Sequence, residues 1–295
     1  MSRTRQHGGL PYAIGAYLIW GLLPLYLRLL HGIPPFEFVG WRVIFTLPLC
    51  LVAVAFSAKW RALWSALSNP RTMMVLLGSS LLIGTNWLIY IWAIVEGHVL
   101  AASLGYYINP LVNVLAGTLF LGERLSQRQW GAVALAVAGV ALLAWGAQDM
   151  LWISLSLAFT FSGYGLVRKL APVESLPGLT VETVVLLIPA MMIINHYAQA
   201  PLGPAFGRDT STSLLLALSG AVTAVPLLLF TEAARRMDYS TLGFVQFLSP
   251  TLVFLLGLFL FHEPLRPVQL GSFALIWAAA GLFIFDLLAR RRVSR

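Results

Sequence analysis

Apolar residues fill most of the chain in long runs, and short polar segments separate one run from the next. A helix needs about 20 predominantly apolar residues to cross a bilayer. Runs of roughly this length begin near Leu10, Phe36, Thr72, Ala101, Gln129, Met150, Gly178, Thr212, Ser240 and Val268. This pattern predicts an all-α polytopic membrane protein with ten transmembrane helices.

The composition agrees with a membrane protein and excludes several other classes. Hydrophobic residues make up 59% of the 295 positions and charged residues only 10%, whereas a soluble domain carries about 25% charged residues. The single cysteine, Cys50, lies within an apolar run, which excludes a disulfide framework and a cysteine-based metal site. Neither an HExxH nor a GxSxG motif occurs, so we predict no catalytic residue, no metal and no cofactor.

Lysine and arginine residues concentrate in the two tails and in every second loop. The residues placed in this way are Arg3, Arg5, Lys59, Arg61, Arg71, Arg124, Arg128, Arg168, Lys169, Arg235, Arg236, Arg290, Arg291, Arg292 and Arg295. Short loops rich in these residues stay in the cytoplasm, so we predict that both termini are cytoplasmic. The net charge of +8 is scattered between apolar runs, which argues against nucleic acid as a partner.

The second half of the chain repeats residues of the first half at a spacing of 140. Pro110, Gly117, Glu123, Leu125, Gln129 and Gly131 recur as Pro250, Gly257, Glu263, Leu265, Gln269 and Gly271. Five spans per copy is an odd number, so the second copy enters the membrane from the opposite side. We therefore predict two inverted five-helix repeats, 10–146 and 150–288, between short basic tails, 1–9 and 289–295. The fourth and ninth spans should meet near Pro110 and Pro250.

Amide, hydroxyl and aromatic side chains at intermediate membrane depth are the candidate solute contacts. In hydrocarbon such polar groups lose their hydrogen bonds to water and should face the bundle interior. The set comprises Tyr106, Asn109 and Asn113 of the fourth span, Gln246 of the ninth, Asn86 and Tyr90 of the third, and Trp20 of the first. Each polar group alone can equally join two helices. Their combination where the repeats meet favours a solute pocket.

Charged residues inside the spans are few, and their energetic cost makes them functional candidates. Arg42 is predicted about 9 Å below the outer surface, held by backbone carbonyls, by Glu37 or Glu96, or by an anionic group of the solute. Glu37 and Glu182 are candidate coupling carboxylates, or else span-end residues that extend to the interface. Arg42 and Glu182 are 140 positions apart, and a gap of about 15 Å should separate them.

Several motifs carry a family resemblance. The segment SLGYYINPL at 103–111, the pair Trp41-Arg42, the pair Asn86-Trp87 and the segment YGLVRK at 164–169 are similar to those of RarD-type permeases of the EamA family, in the drug/metabolite transporter superfamily. The resemblance covers nearly the whole chain. It implies ten helices in two EamA repeats and permeation of a small molecule.

We interpret the protein as a permease that moves a small metabolite or drug-like solute by alternating access, in export or exchange. Its expected partners are the solute and the lipid bilayer, and a homodimer is left open. The competing classes are a channel, which needs a continuous polar pore, and an intramembrane enzyme, which needs reactive groups at one depth. Neither pattern is visible in the sequence.

The orientation is testable with single cysteines in a Cys50-free background. Cysteines at Arg128 or Lys169 should be protected from an impermeant thiol reagent added to intact cells, because their loops are predicted to be cytoplasmic. Cysteines near Gly97 and Gly207 should react. Labelling at Lys169 in sealed cells would contradict the assignment.

Overall fold

The structure, a computed structural model, describes residues 8–145, 150–262 and 267–293, which are almost entirely helical. Within these ranges the helices are α1 (Leu10–Leu29), α2 (Pro35–Phe56), α3 (Trp60–Ser68), α4 (Pro70–Val95), α5 (Val99–Phe120), α6 (Gln127–Ala144), α7 (Leu151–Leu170), α8 (Ser175–Ala198), α9 (Thr210–Arg236), α10 (Tyr239–Gln246), α11 (Leu248–Phe259) and α12 (Pro267–Val293). Arg3, Arg5 and Arg295 of the basic tails, and Glu263 and Leu265 of the repeat, lie outside the described residues.

Among the described residues, nine helical segments are long and apolar enough to cross a membrane, with α10 and α11 counted as one. The remaining long helix is α7, which ends in Arg168 and Lys169 and contains several serine residues. These polar residues lower its apolar content, although much of the helix is buried against α4, α5 and α9. The predicted all-α membrane fold is confirmed, and α7 completes the set of ten long segments.

Two details of the helices depart from the sequence expectation. A short helix, α3, occupies the predicted loop after the second span and exposes Trp60 and Trp64, as helices lying at a membrane interface do. The ninth span is divided at Phe247 into α10 and α11. Pro250 explains this break, because it lacks the N–H that would bond to Gln246 and its ring crowds that carbonyl.

The contacts between helices follow the relation between the two repeats. When each helix is replaced by its equivalent in the other repeat, one packed pair becomes another packed pair. Helix α2 packs on α8, α6 on α12, and α5 on α10, and each of these pairs joins equivalent positions of the two repeats. Helix α5 packs on α7 as α1 packs on α11, and α4 packs on α7 as α1 packs on α9. The halves are therefore interleaved along most of their length.

Equivalent helices run antiparallel. Near one end of the α2–α8 pair Gly40 faces Ile194, and near the other end Cys50 lies beside Thr180. An axis in the membrane plane requires this antiparallel arrangement of equivalent helices. The fourth and ninth spans meet at Pro110 as predicted, but the residue opposite is Gly243 of α10. Pro250 belongs to α11, which packs on α1 instead.

Side-chain caps fix where several helices begin. Ser126 and Gln129 form a reciprocal capping box at the start of α6. Asp209 accepts hydrogen bonds from the Ser211 hydroxyl and the Thr212 N–H at the start of α9. These bonds lower the pKa of Asp209 to about 2, so the carboxylate is charged where it favours the helix dipole.

The crossing of α2 and α9 depends on a glycine. A Cβ atom at Gly220 would lie 2.3 Å from the carbonyl oxygen of Phe45, which is far inside van der Waals contact. Thr46 also donates a hydrogen bond to the Gly220 carbonyl at 3.3 Å. Small residues at such crossings let two backbones approach closely in a membrane.

We expect Gly220→Ala to destabilise the protein by about 1 to 3 kcal/mol, because the added methyl group must push α2 and α9 apart. Gly78→Ala is the matched control, since a Cβ there meets nothing within 4 Å. Unfolding in a detergent titration measures both effects. Equal stability of the two variants would contradict the close crossing.

Candidate functional site

A cavity lies between α2, α4, α7, α8 and α9, and thus between the two halves. Its volume in this conformation is about 10 Å³, which is about the space that one water molecule needs, and it is lined by Val43, Thr46, Ile83, Trp87, Tyr164, Leu179, Glu182, Thr183, Leu186, Thr223 and Leu227. Apolar walls with a few placed polar groups are typical of small-molecule sites. This cavity is the candidate solute site.

Glu182 is the charged residue of the cavity wall, and it is almost completely buried. Its carboxylate accepts a hydrogen bond from the Ser79 hydroxyl at 2.5 Å and one from the Tyr164 hydroxyl at 3.3 Å. The Arg168 Nε lies 3.4 Å from the Glu182 Oε1. Three helices therefore converge on this carboxylate.

Arg168 overturns one expectation from the sequence. Its place near the end of an apolar run suggested a cytoplasmic loop, but its side chain is completely buried in α7. One guanidinium nitrogen donates to the Ser175 carbonyl at 3.1 Å. A Cβ atom at Gly178 would lie 2.0 Å from another, so the absence of a side chain there makes room for the cation. The loss of water is compensated by Glu182 and by backbone carbonyls.

Trp87 forms part of the cavity wall and also contacts a second cation. The Arg42 guanidinium carbon lies 3.9 Å from the centre of the Trp87 ring, which is a close cation–π contact. The phenol groups of Tyr106, Tyr90 and Tyr26 lie near Arg42. This group forms a second polar centre, adjacent to the cavity and contributed by the first half of the chain.

The carboxylates predicted as partners of Arg42 are elsewhere. Glu37 is buried, and its carboxylate accepts hydrogen bonds from the Trp41 indole at 3.1 Å and from the Ala205 backbone N–H at 2.5 Å. Glu96 is exposed at the end of α4. Among the described residues no carboxylate lies within 4 Å of Arg42, and its Nε is buried without a hydrogen-bond acceptor.

The four amides proposed as solute contacts are all buried and already bond to other helices. Asn113 donates to the Gln246 side chain at 2.8 Å, and Asn109 donates to the Ala158 carbonyl at 2.9 Å. Asn86 donates to the Leu157 carbonyl at 2.9 Å. These bonds connect α5 with α10 and join α4 and α5 to α7. They favour the helix-joining alternative for the amides.

The three aromatic candidates fall in two places. Tyr90 and Tyr106 pack edge to face with ring centres 5.7 Å apart, on the Arg42 side of the cavity. Tyr106 keeps 40% of its surface exposed. Trp20 packs on Phe161 and Phe230 in an aromatic cluster that continues to Tyr164. The structure therefore brings Arg42, Tyr90 and Tyr106 together and places Trp20 apart from them.

The candidate site residues did not include Trp87, Tyr164 or Arg168. The sequence does contain a signal for Trp87 and Tyr164, because both are aromatic residues at intermediate depth in the membrane. Arg168 carried another, because Arg28 precedes it by 140 positions. The threonines of the cavity wall carried none.

Comparisons with known proteins bear on what the cavity does. The sequence model of the EamA-like transporter family matches residues 7–145, which contain α1 to α6. An uncharacterized transporter of Pseudomonas aeruginosa is 45% identical over 97% of this chain and 96% of its own length. The protein RarD of Salmonella typhimurium is 42% identical over 98% of each chain. The chain belongs to the EamA-like transporter family.

Similarity to RarD over nearly the full chain confirms the prediction of a RarD-type EamA permease. A solved crystal structure with 21% sequence identity matches the fold with a TM-score of 0.75, over 97% of this chain and 99% of that one. The cavity between the halves thus belongs to a membrane transporter of a bacterial family.

The buried pair of this EamA transporter can be tested by removing its charges singly and together. We expect Glu182→Gln to destabilise the protein by about 3 to 5 kcal/mol, because Arg168 is left buried without its counter-charge. The double variant Arg168→Gln with Glu182→Gln should recover part of this loss. The measurement is unfolding in a detergent titration.

Glu174→Gln is the control for the loss of any ion pair. Glu174 pairs with Lys59 at 2.6 Å on an exposed surface, and such pairs contribute about 1 kcal/mol or less. If the single variant Glu182→Gln is as stable as the control, the buried pair does not contribute to the stability of the protein.

Proposed function

We propose that the protein is a multi-pass permease of the bacterial inner membrane that moves a small metabolite or drug-like solute by alternating access. The observation that supports it is the cavity shared by both halves. Thr46 and Trp87 come from the first half, and Tyr164, Glu182 and Thr223 from the second. A site at the interface of two inverted halves can open to either side when one half rocks against the other.

The cavity lies between two equivalent positions of the repeat. Arg42 stacks on Trp87 at one end, and Glu182 pairs with Arg168 at the other. These polar groups can bind a solute and also separate it from the two aqueous phases. The two halves that rock against each other are the repeats 10–146 and 150–288.

Cationic side chains tie α7 and α9 together at the end that we propose to be cytoplasmic. Lys169 donates to the carbonyls of Ala234 and Met237 at 2.7 and 2.6 Å. Arg235 donates in return to the carbonyls of Ala171 and Val173 at 2.9 and 2.7 Å. Each helix C-terminus is therefore capped by a cation of the other helix, which holds α7 and α9 together within the second half.

A third tie at the same end joins the two halves. The Glu123 carboxylate, in the α5–α6 loop, accepts hydrogen bonds from the backbone N–H groups of Tyr239 and Ser240 at 2.6 and 2.8 Å. It thus caps the N-terminus of α10 with a negative charge. Opening toward the cytoplasm requires this contact to break, so the conformation described is the one closed on that side.

Glu182 is the coupling carboxylate we favour over Glu37. Glu182 lines the cavity and shares its charge with Arg168, so a proton or a solute at this position would change the balance of the pair. Glu37 instead holds the Ala205 N–H and the Trp41 indole. Export or exchange, rather than covalent chemistry, is the activity proposed.

Alternating access predicts opposite movements at the two ends. Spin labels at Arg128 and Leu170 report on the proposed cytoplasmic end, and labels at Val99 and Leu202 report on the other end. Double electron–electron resonance in nanodiscs should show two distance populations for each pair. Glu123→Gln should increase the longer population at the cytoplasmic end and the shorter population at the other end, because it weakens the cap on α10.

Glu232→Gln, which removes an ion pair with Arg236 within the second half near the same face, should leave the populations unchanged. Widening at both ends together would favour a channel. One fixed distance at each end, in both proteins, would favour a membrane protein without a transport cycle, including an intramembrane enzyme.

A further inference from the structure

The two cations inside the bundle differ in how their charges are compensated. Arg168 has Glu182 and the Ser175 carbonyl as partners. Among the described residues, the Nε of Arg42 has no hydrogen-bond acceptor, and neither have the Nε and one Nη of Arg168, but Arg42 has only the face of Trp87 where Arg168 has a carboxylate. A ring face compensates a guanidinium only in part. The charge of Arg42 therefore remains available for a further partner.

The carboxylates close to Arg42 in sequence cannot serve as that partner in this arrangement. Glu37 lies five residues earlier on α2, but its carboxylate is engaged by Trp41 and by the backbone of Ala205. The phenol groups that interact with Arg42 stay neutral at physiological pH. One positive charge is thus uncompensated about 10 Å along α2 from its start, where an isolated charge is costly.

The surroundings of Arg42 also indicate what the partner looks like. Tyr90 and Tyr106 present adjoining ring edges, and Tyr106 is partly exposed. Trp87 connects this position to the apolar wall of the cavity. An apolar or aromatic body can pack against these rings. Arg42 supplies one positive charge beside these rings, which matches one negative charge better than the two of a phosphate monoester.

We infer that Arg42 binds the carboxylate of the transported solute, and that the solute is an amphiphilic monocarboxylate with an apolar or aromatic body. A planar guanidinium can donate two parallel hydrogen bonds to a carboxylate, which would satisfy the buried Nε. The body of the solute lies against Tyr90, Tyr106 and Trp87, toward the cavity. This inference rests on the proposed function and specifies its substrate class.

The test compares three probes of similar shape: 3-phenylpropionate, its uncharged amide and 3-phenylpropylamine. Their binding is measured by calorimetry on the full chain in phosphatidylcholine nanodiscs. The carboxylate should bind about tenfold or more tightly than the amide, and the amine more weakly than either. Arg42→Gln should remove the preference for the carboxylate and leave amide binding nearly unchanged, while Arg42→Lys should keep part of the preference.

Arg28→Gln is the matched control, because Arg28 also lies over an aromatic ring, that of Phe261 at 5.2 Å, but outside the cavity. It should bind all three probes like the wild type. If Arg42→Gln fails to fold, the binding of the three probes to the wild type and to Arg42→Lys still tests the inference. The inference is overturned by equal binding of carboxylate and amide, by preference for the amine, by no binding of the carboxylate, or by a carboxylate preference that survives Arg42→Gln.

A repeat in nanodiscs containing phosphatidylglycerol separates a free solute from a lipid headgroup. Loss of carboxylate binding there would mean that a lipid anion occupies Arg42, and the inference would be wrong. The spin-label distances distinguish this failure from failure of the proposed function. Opposite movements of the two ends without a carboxylate preference would refute the substrate class alone, and the reverse result would refute alternating access while leaving the anion site in place.

Discussion

In hydrocarbon a polar group finds no water, so each one must find its partner on another part of the chain. The burial of Arg168 shows how this constraint shapes the bundle. Its guanidinium requires the Glu182 carboxylate from α8, the carbonyl of Ser175 and the space left by Gly178. Glu182 in turn brings Ser79 of α4 and Tyr164 of α7 to the same point. The cavity wall is built around this one compensated charge.

The same constraint explains why the two halves are interleaved rather than side by side. Asn113 bonds to Gln246, Glu123 to the N-terminus of α10, and Thr46 to the Gly220 carbonyl. Each of these hydrogen bonds joins one repeat to the other. Such bonds connect the two halves at several points along the helices.

Arg42 differs from Arg168 in the groups that compensate its charge. Arg168 is paired with Glu182, whereas Arg42 rests on the face of Trp87 and has no carboxylate within 4 Å among the described residues. Equivalent positions of the repeat thus carry opposite charges, Arg42 in one half and Glu182 in the other. Inverted repeats share a backbone, and their different side chains make the two ends of the pathway chemically distinct.

The sequence alone determined the membrane fold and the family, because a span is recognised by the length of its apolar run and needs no knowledge of its neighbours. It also identified Arg42 and Glu182 as equivalent charged positions. Only the tertiary structure decided which groups meet. Arg168 resembles a loop residue in the sequence, and only the packing of α8 over it explains its burial. The break before Pro250 and the interfacial helix α3 were not predicted. The four amide residues look the same in the sequence whether their side chains join helices or bind a solute. That choice depends on atoms many residues away, whose positions follow from helix packing and leave no local pattern in the chain.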